Sequence, residues 1–209
     1  MTLRHAWVFA FALLTAAPLF AQEPPVSFRP FVLVTDERFT AQTTFKAVFG
    51  TATEPAWGGG VDVTLGRHMF VDLAISRMSQ SGQRAFISNG QVFALGIPLR
   101  VTLTPVELTA GYRIRHWKRI VPYAGAGIGW YQYTEAADFA AAGDDVDVRH
   151  AGFVLMGGAE FRVTKWVGIT GDAQFTRVSG ILGQAGLSKD AGESDLGGVA
   201  ARLRVIIGR

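Results

Sequence analysis

Residues 150–178 read HAGFVLMGGAEFRVTKWVGITGDAQFTRV, a run in which apolar and polar side chains alternate. Phe153, Leu155, Ala159, Phe161 and Val163 share one parity, while Glu160, Arg162 and the glycines at 152 and 158 share the other. After Lys165-Trp166 the alternation resumes, with Ile169, Ala173 and Phe175 opposed to Thr170, Asp172, Gln174 and Thr176. Successive side chains of an extended chain point to opposite faces, so this pattern predicts two antiparallel strands joined by a tight turn, each with one apolar face.

The same reading carried outward predicts eight strands: Ser27–Asp36, Trp57–Gly66, Met69–Ser79, Val101–Arg115, Ile120–Tyr133, His150–Thr164, Val167–Val178 and Asp195–Ile207. In the fourth, Val106, Leu108, Ala110, Tyr112 and Ile114 oppose Glu107, Thr109, Gly111 and Arg113. In the eighth, Val199, Ala201, Leu203, Val205 and Ile207 oppose Ala200, Arg202 and Arg204. The connections alternate in length. Arg67-His68, His116–Arg119 and Lys165-Trp166 are short, and residues 37–54, 80–100, 134–149 and 179–194 form long loops. Short turns at one end and long loops at the other are the rule of up-and-down outer-membrane barrels, short turns facing the periplasm. The third and seventh strands are loosely alike, Asp72–Ser79 against Asp172–Ser179, which a shared place in the barrel explains.

Composition agrees. Hydrophobic residues make up 49% of the chain and charged residues 18%, below the roughly 25% usual in soluble domains. Apart from the N-terminus, no run approaches the roughly 20 apolar residues of a spanning helix. Arg4, the apolar run Ala6–Ala17 and Leu19-Phe20-Ala21 predict a cleaved signal peptide over residues 1–21, which leaves one barrel domain over 22–209. Cysteine is absent, which rules out thiolate metal sites and disulfides. The formal charge of +3 is too small to indicate a nucleic-acid partner.

A soluble barrel would turn the apolar faces inward. The aromatic positions favour lipid instead. Trp117, Trp166, Tyr112 and Phe161 fall near the short turns, and Trp57, Trp130 and Tyr133 near the long loops, as two interfacial girdles.

At Pro122-Tyr123-Ala124-Gly125-Ala126-Gly127-Ile128-Gly129-Trp130, with Gly158-Ala159-Glu160-Phe161-Arg162 following, the chain resembles the outer-membrane β-barrel domain family, the small OmpA/OmpX-type barrels, over roughly residues 25–209. The resemblance implies an eight-stranded antiparallel transmembrane barrel in the bacterial outer membrane, with no general catalytic site. Such barrels commonly end in an aromatic residue read by the assembly machinery, whereas this chain ends Ile207-Gly208-Arg209.

Inward parity collects Asp62, Asp72, Glu107, Glu160 and Asp172 beside Arg29, Arg113, Arg162, Arg202 and Arg204. An eight-stranded barrel has room inside for little besides its own side chains. These charges therefore predict a lumen filled by ion pairs, with a narrow ion path as the alternative. Gly125, Gly127 and Gly129 are expected to make room for arginines reaching across. They lack the spacing and following helix of a nucleotide-binding loop.

Between the first two strands, Thr43 is the expected cap of a short helix ending at Gly50. Its Phe45, Val48 and Phe49, with Phe39, form an apolar surface on the outer side. This surface covers the barrel mouth or rests on the lipid interface, or else serves as a lid or candidate interaction face for a hydrophobic ligand. The acidic loop Asp138–Asp147, with Asp144, Asp145 and Asp147, is read as a solvated cluster or a weak calcium site. His68, His116 and His150 are the only histidines beyond the signal, and neither they nor Ser179 and Ser188 stand at a spacing that demands a hydrolytic triad. No catalytic residue, cofactor or metal is assigned. The sequence thus predicts a monomeric barrel in contact with outer-membrane lipids and the barrel assembly machinery, with a structural or surface-interaction role. A passage for small or hydrophobic molecules and a lipid A-modifying enzyme are the alternatives.

Overall fold

The computed structural model describes residues 26–88, 91–137, 146–183 and 186–208, so the expected signal segment and the acidic stretch 138–145 lie outside the described residues. Eight antiparallel strands close into one barrel in sequence order. They are β1 (Ser27–Phe39), β2 (Thr53–Leu65), β3 (Met69–Ser88), β4 (Gln91–Arg113), β5 (Ile120–Ala137), β6 (Val146–Arg162), β7 (Val167–Val178) and β8 (Leu196–Ile207). Helix α1 (Gln42–Phe49) follows β1, and the short α2 (Gly186–Asp190) lies between β7 and β8.

The predicted faces hold in every strand. Val32, Val61, Leu73, Leu108, Ile128, Leu155, Phe175 and Leu203 stand on the outside, while Asp62, Asp72, Glu107, Glu160, Asp172, Arg202 and Arg204 are buried inside. Closure leaves no strand edge in lipid, which is the condition for β-structure in a bilayer. Trp57, Trp130, Tyr112, Phe161, Trp117 and Trp166 project outward as expected of girdles. Tyr133 does not. It is 3% exposed and donates from its hydroxyl to Glu135 at 2.5 Å inside the barrel, because it shares parity with Tyr131 rather than with Trp130.

Two segments expected as loops are strand. The β3–β4 ladder continues to Ser88↔Gln91, through an irregularity between Gln83 and Ala85, and β5–β6 pairing runs to Glu135↔Val146. Strands of 20 and 23 residues far exceed the roughly 9–11 needed to span a bilayer. Beyond the membrane both faces meet water, so the apolar–polar alternation that marks a strand fades. The other strands are shorter. β2 last pairs with β3 at Trp57↔Arg77, and β6 with β7 at Phe153↔Arg177.

Candidate functional site

The site that the strands build is the lumen itself. Near the periplasmic end, Arg113 pairs with Asp62 and donates to the Thr64 hydroxyl at 2.8 Å, its guanidinium 4.5 Å from the Phe70 ring centre. Arg29 pairs with Glu160 at 2.8 Å. At mid-barrel, Arg204 donates to Asp72 at 2.6 Å and to the Tyr123 hydroxyl at 2.7 Å, and pairs with Asp172 at 3.1 Å. Tyr123 in turn donates to Asp172 at 2.7 Å. Arg202 reaches the other Asp172 oxygen at 2.6 Å and lies 3.6 Å from Glu107. Glu107 also accepts from Tyr131 at 2.7 Å and from Gln174 at 2.8 Å.

All ten charged residues expected in the lumen thus meet a partner of opposite charge. Arg162 is the peripheral one, 3.6 Å from Glu160 with its side chain 34% exposed at the rim. Burial of a charge is tolerated where it is paired and hydrogen-bonded, and that condition holds for Arg204, Asp172 and Glu107.

Sequence reasoning missed Tyr123, Tyr131, Gln174 and Phe70 as members of this network. The signal was present for the tyrosines, which have the parity of the glycines between them. Those glycines do not house arginines. A Cβ at Gly125 would lie 3.2 Å from Phe70 Cζ, and one at Gly129 would lie 2.6 Å from Tyr131 Cε2. At these two positions the space is taken by aromatic rings, whose hydroxyl or face then meets the charges, while a Cβ at Gly127 would strike the Leu108 carbonyl oxygen. The lumen is also less polar than expected, since Phe31, Leu33, Phe70, Met156 and Ile206 are buried within it.

Above the charges, an apolar cluster closes the outer mouth. Phe39, Phe45, Met78, Val101, Tyr133 and Leu196 belong to it, with Val48 and Phe49 packed against it. Helix α1 therefore points its apolar face into the barrel. Phe39 and Phe45 are each 1% exposed and stack at 4.1 Å between ring centres, so they present no surface to an outside ligand. A free amphipathic face over an open mouth gains most by filling it. Opposite the helix, a Cβ on Gly82 of β3 would fall 2.3 Å from the Val48 carbonyl oxygen, which is the close approach that a glycine permits.

Helix α1 starts at Gln42 after Ala41, which makes no side-chain cap, rather than at Thr43. Its free N–H groups are met from another loop. Glu193 accepts from Thr43 N–H at 2.9 Å, Thr44 N–H at 2.8 Å and the Thr44 hydroxyl at 2.7 Å. A carboxylate at a helix N-terminus is favourable, but its source 150 positions away has no local signature. Gly50 ends the helix in the left-handed region at φ 80, as the sequence suggests.

Partial burial opposes charge on Glu193, yet the hydrogen bonds from Thr44 and Thr43 outweigh it and hold its carboxyl below the ordinary 4.5. A carboxyl with a lowered folded pKa contributes stability that is present above its unfolded value and is lost as pH falls through the folded one. The clamp is therefore expected to be intact above pH 4.5 and to release below it. The Thr44 amide resonance should titrate with a midpoint under 4.5, and Glu193→Gln should remove that titration. A midpoint at or above the ordinary value would sink this reading.

The candidate hydrolytic residues are not assembled. His150 shares the inward parity of Gly152, whereas Asp147 is exposed on the other face and accepts from Gln132 at 3.0 Å. His68 Nδ1 lies 2.9 Å from the Arg113 carbonyl oxygen, and His116 packs edge-on against Trp117, both in short turns. Ser188 Oγ accepts from Gly183 N–H at 3.0 Å. Among the described residues no group of His, Asp and Glu is arranged to hold a metal. Asp144 and Asp145 of the calcium reading lie outside the described residues.

A closed eight-stranded barrel with an apolar outer band and a paired-charge lumen defines a small integral barrel of the bacterial outer membrane. The chain belongs to the outer membrane protein beta-barrel domain family, which matches residues 8–200. Among solved structures it is similar to Ail of Yersinia pestis, the attachment invasion locus protein, in complex with the heparin analogue sucrose octasulfate. That likeness has 8% identity and a TM-score of 0.54, over 88% of this chain and 99% of that one. The N-terminal barrel domain of Pseudomonas aeruginosa OprF is 14% identical with a TM-score of 0.50, over 90% of this chain and all (100%) of that one. Neisserial surface protein A is 10% identical with a TM-score of 0.50, over 90% and 98%. At these identities the likeness is one of fold. No curated protein matches the chain.

Proposed function

We propose that this protein is a closed, non-enzymatic surface barrel, monomeric in the outer membrane, that acts through its extracellular wall and not as a conduit. The observation that carries the reading is the double seal, a lumen of paired charges beneath the apolar cluster that holds α1. The interior void beside Glu107 and Arg202 is about 20 Å³, room for a single water. The contact element is the β3–β4 extension. There Phe86 and Phe93 sit directly opposite each other and stack at 5.2 Å, with Val92 and Leu95 exposed beside them. An aromatic cross-strand pair stiffens a hairpin that has lost its outer neighbours. Outer-membrane lipids contact the apolar band, and the barrel assembly machinery inserts it. The test is planar-bilayer conductance of the purified protein. We expect no single-channel steps, and regular steps from the wild type would overturn the reading. Lipid A from overexpressing cells should be unchanged in mass.

A second reading, passage of a small apolar molecule through the wall, is favoured by one observation. Where β2 and β3 part above Trp57↔Arg77, a cleft of about 380 Å³ is lined by Val34, Ala56, Trp57 and Gln80. Saturable quenching of Trp57 fluorescence by an apolar ligand would support it.

A further inference from the structure

The periplasmic mouth holds a cavity of about 250 Å³ that the sealed lumen does not use. Arg29, Arg115, Arg162 and Lys165 line it, with Glu160 as the only carboxylate among its described lining residues and the Gly208 backbone at its edge. Glu160 is already engaged by Arg29 at 2.8 Å and by Arg162 at 3.6 Å. Among the described residues, Arg115 and Lys165 have no carboxylate partner in the cavity. Arg29 is 5% exposed, and among the described residues neither its Nε nor the buried Nε of Arg115 has a hydrogen-bond partner. Burial, with Arg162, Arg113 and Arg29 close by, pushes the Arg115 guanidinium below its ordinary value. A buried guanidinium N–H without an acceptor is costly, and a pocket with surplus positive charge is relieved by an anion. Guanidinium groups suit phosphate oxygens through paired N–H donors, and a lysine adds a point charge.

We propose that this cavity is a phosphate-binding site at the periplasmic mouth, with Arg115 and Lys165 as its principal ligands and the Arg29–Glu160 pair as its floor. Two sources supply that chemistry at this level, free phosphate in the periplasm and the phosphodiester of an inner-leaflet phospholipid. The ring formed by Trp117, Phe161 and Trp166 on the outer face marks the headgroup level alongside.

The test uses full-length protein purified from outer membranes into a phosphate-free detergent. Inorganic phosphate is titrated by calorimetry, and dioctanoyl phosphatidylglycerol is compared with dioctanoyl glycerol by native mass spectrometry. Saturable binding of phosphate identifies the free ion as a source, and binding of the phospholipid but not the diacylglycerol identifies the headgroup. Either supports the site, provided that Arg115→Gln with Lys165→Gln weakens that binding at least tenfold. Both substitutions lie in turns and leave the Arg29–Glu160 pair in place, and retained heat-modifiability on gels shows that the variant is folded. Absence of saturable binding by either probe, or equal binding by the folded double variant, overturns the proposal.

Discussion

Arg204→Met is expected to be the most damaging single substitution in the barrel. It leaves Asp72 and Asp172 without the guanidinium that lies 2.6 Å from one and 3.1 Å from the other. It also removes a donor from Tyr123 and the cation 5.1 Å from the Phe31 ring centre. Removal of one partner from a buried, hydrogen-bonded ion pair costs about 3–5 kcal/mol, because the remaining charge is stranded. Urea unfolding in lipid vesicles should show a much lower midpoint, and the compact band on unboiled gels should disappear at a lower temperature. Arg204→Lys should recover only part of the loss, since one ammonium cannot serve Asp72, Asp172 and Tyr123 in the geometry of the fork. Adding Asp72→Asn to Arg204→Met should restore part of the stability relative to Arg204→Met alone, because the carboxylate left without its cation is then neutral, while Asp172 keeps Arg202 at 2.6 Å. If Arg204→Met unfolds like the wild type, the network is not what holds the lumen closed.

Phe45→Ala should open the outer mouth without opening the barrel. Phe45 lies between Phe39, at 4.1 Å, and Phe49, at 5.7 Å between ring centres, and it is the buried anchor of α1. Truncation of a buried phenylalanine costs about 3–5 kcal/mol, and here the loss falls on the docking of one helix rather than on the sheet. Amides of α1 should therefore lose exchange protection and the segment should become cleavable by protease. Heat-modifiability of the barrel should be retained. Gly82→Val attacks the same contact from the wall, since its Cβ would collide with the Val48 carbonyl, and should reproduce the effect. If exchange in α1 is unchanged in both variants, the helix is held by the Glu193 clamp rather than by its apolar face.

Much of this architecture was legible in the chain. Phe153, Leu155 and Phe161 against Glu160 and Arg162 announce a strand with one face to lipid, and the same parity test recovers every strand and ten lumen charges, but not Glu37 and Glu54, which read as loop and face inward at the ends of β1 and β2. The test weakens where both faces meet the same medium. Residues 80–100 alternate nothing recognisable because that part of β3 and β4 stands above the membrane, so they read as loop. Tyr133 was misplaced for a related reason: proximity to a strand end does not tell which face a residue takes, and its parity with Tyr131 does. Helix α1 was visible from its spacing and its Gly50 stop, but its cap was not, because Glu193 arrives from the opposite side of the mouth.

The number and order of strands, the side of each that meets lipid and ten of the charges that line the interior are already written in the chain. These are local properties, read from a period of two and from the lengths of the turns. Which charge meets which follows from closure of the sheet. Arg204 and Asp72 are 132 positions apart, and they meet through the tilt and stagger at which the sheet closes, a quantity that belongs to the whole barrel. Closure also decided the direction of the α1 face. Phe39 and Phe45 have an apolar cavity to fill once β8 has paired with β1, and an apolar face is driven into whatever space removes it from water.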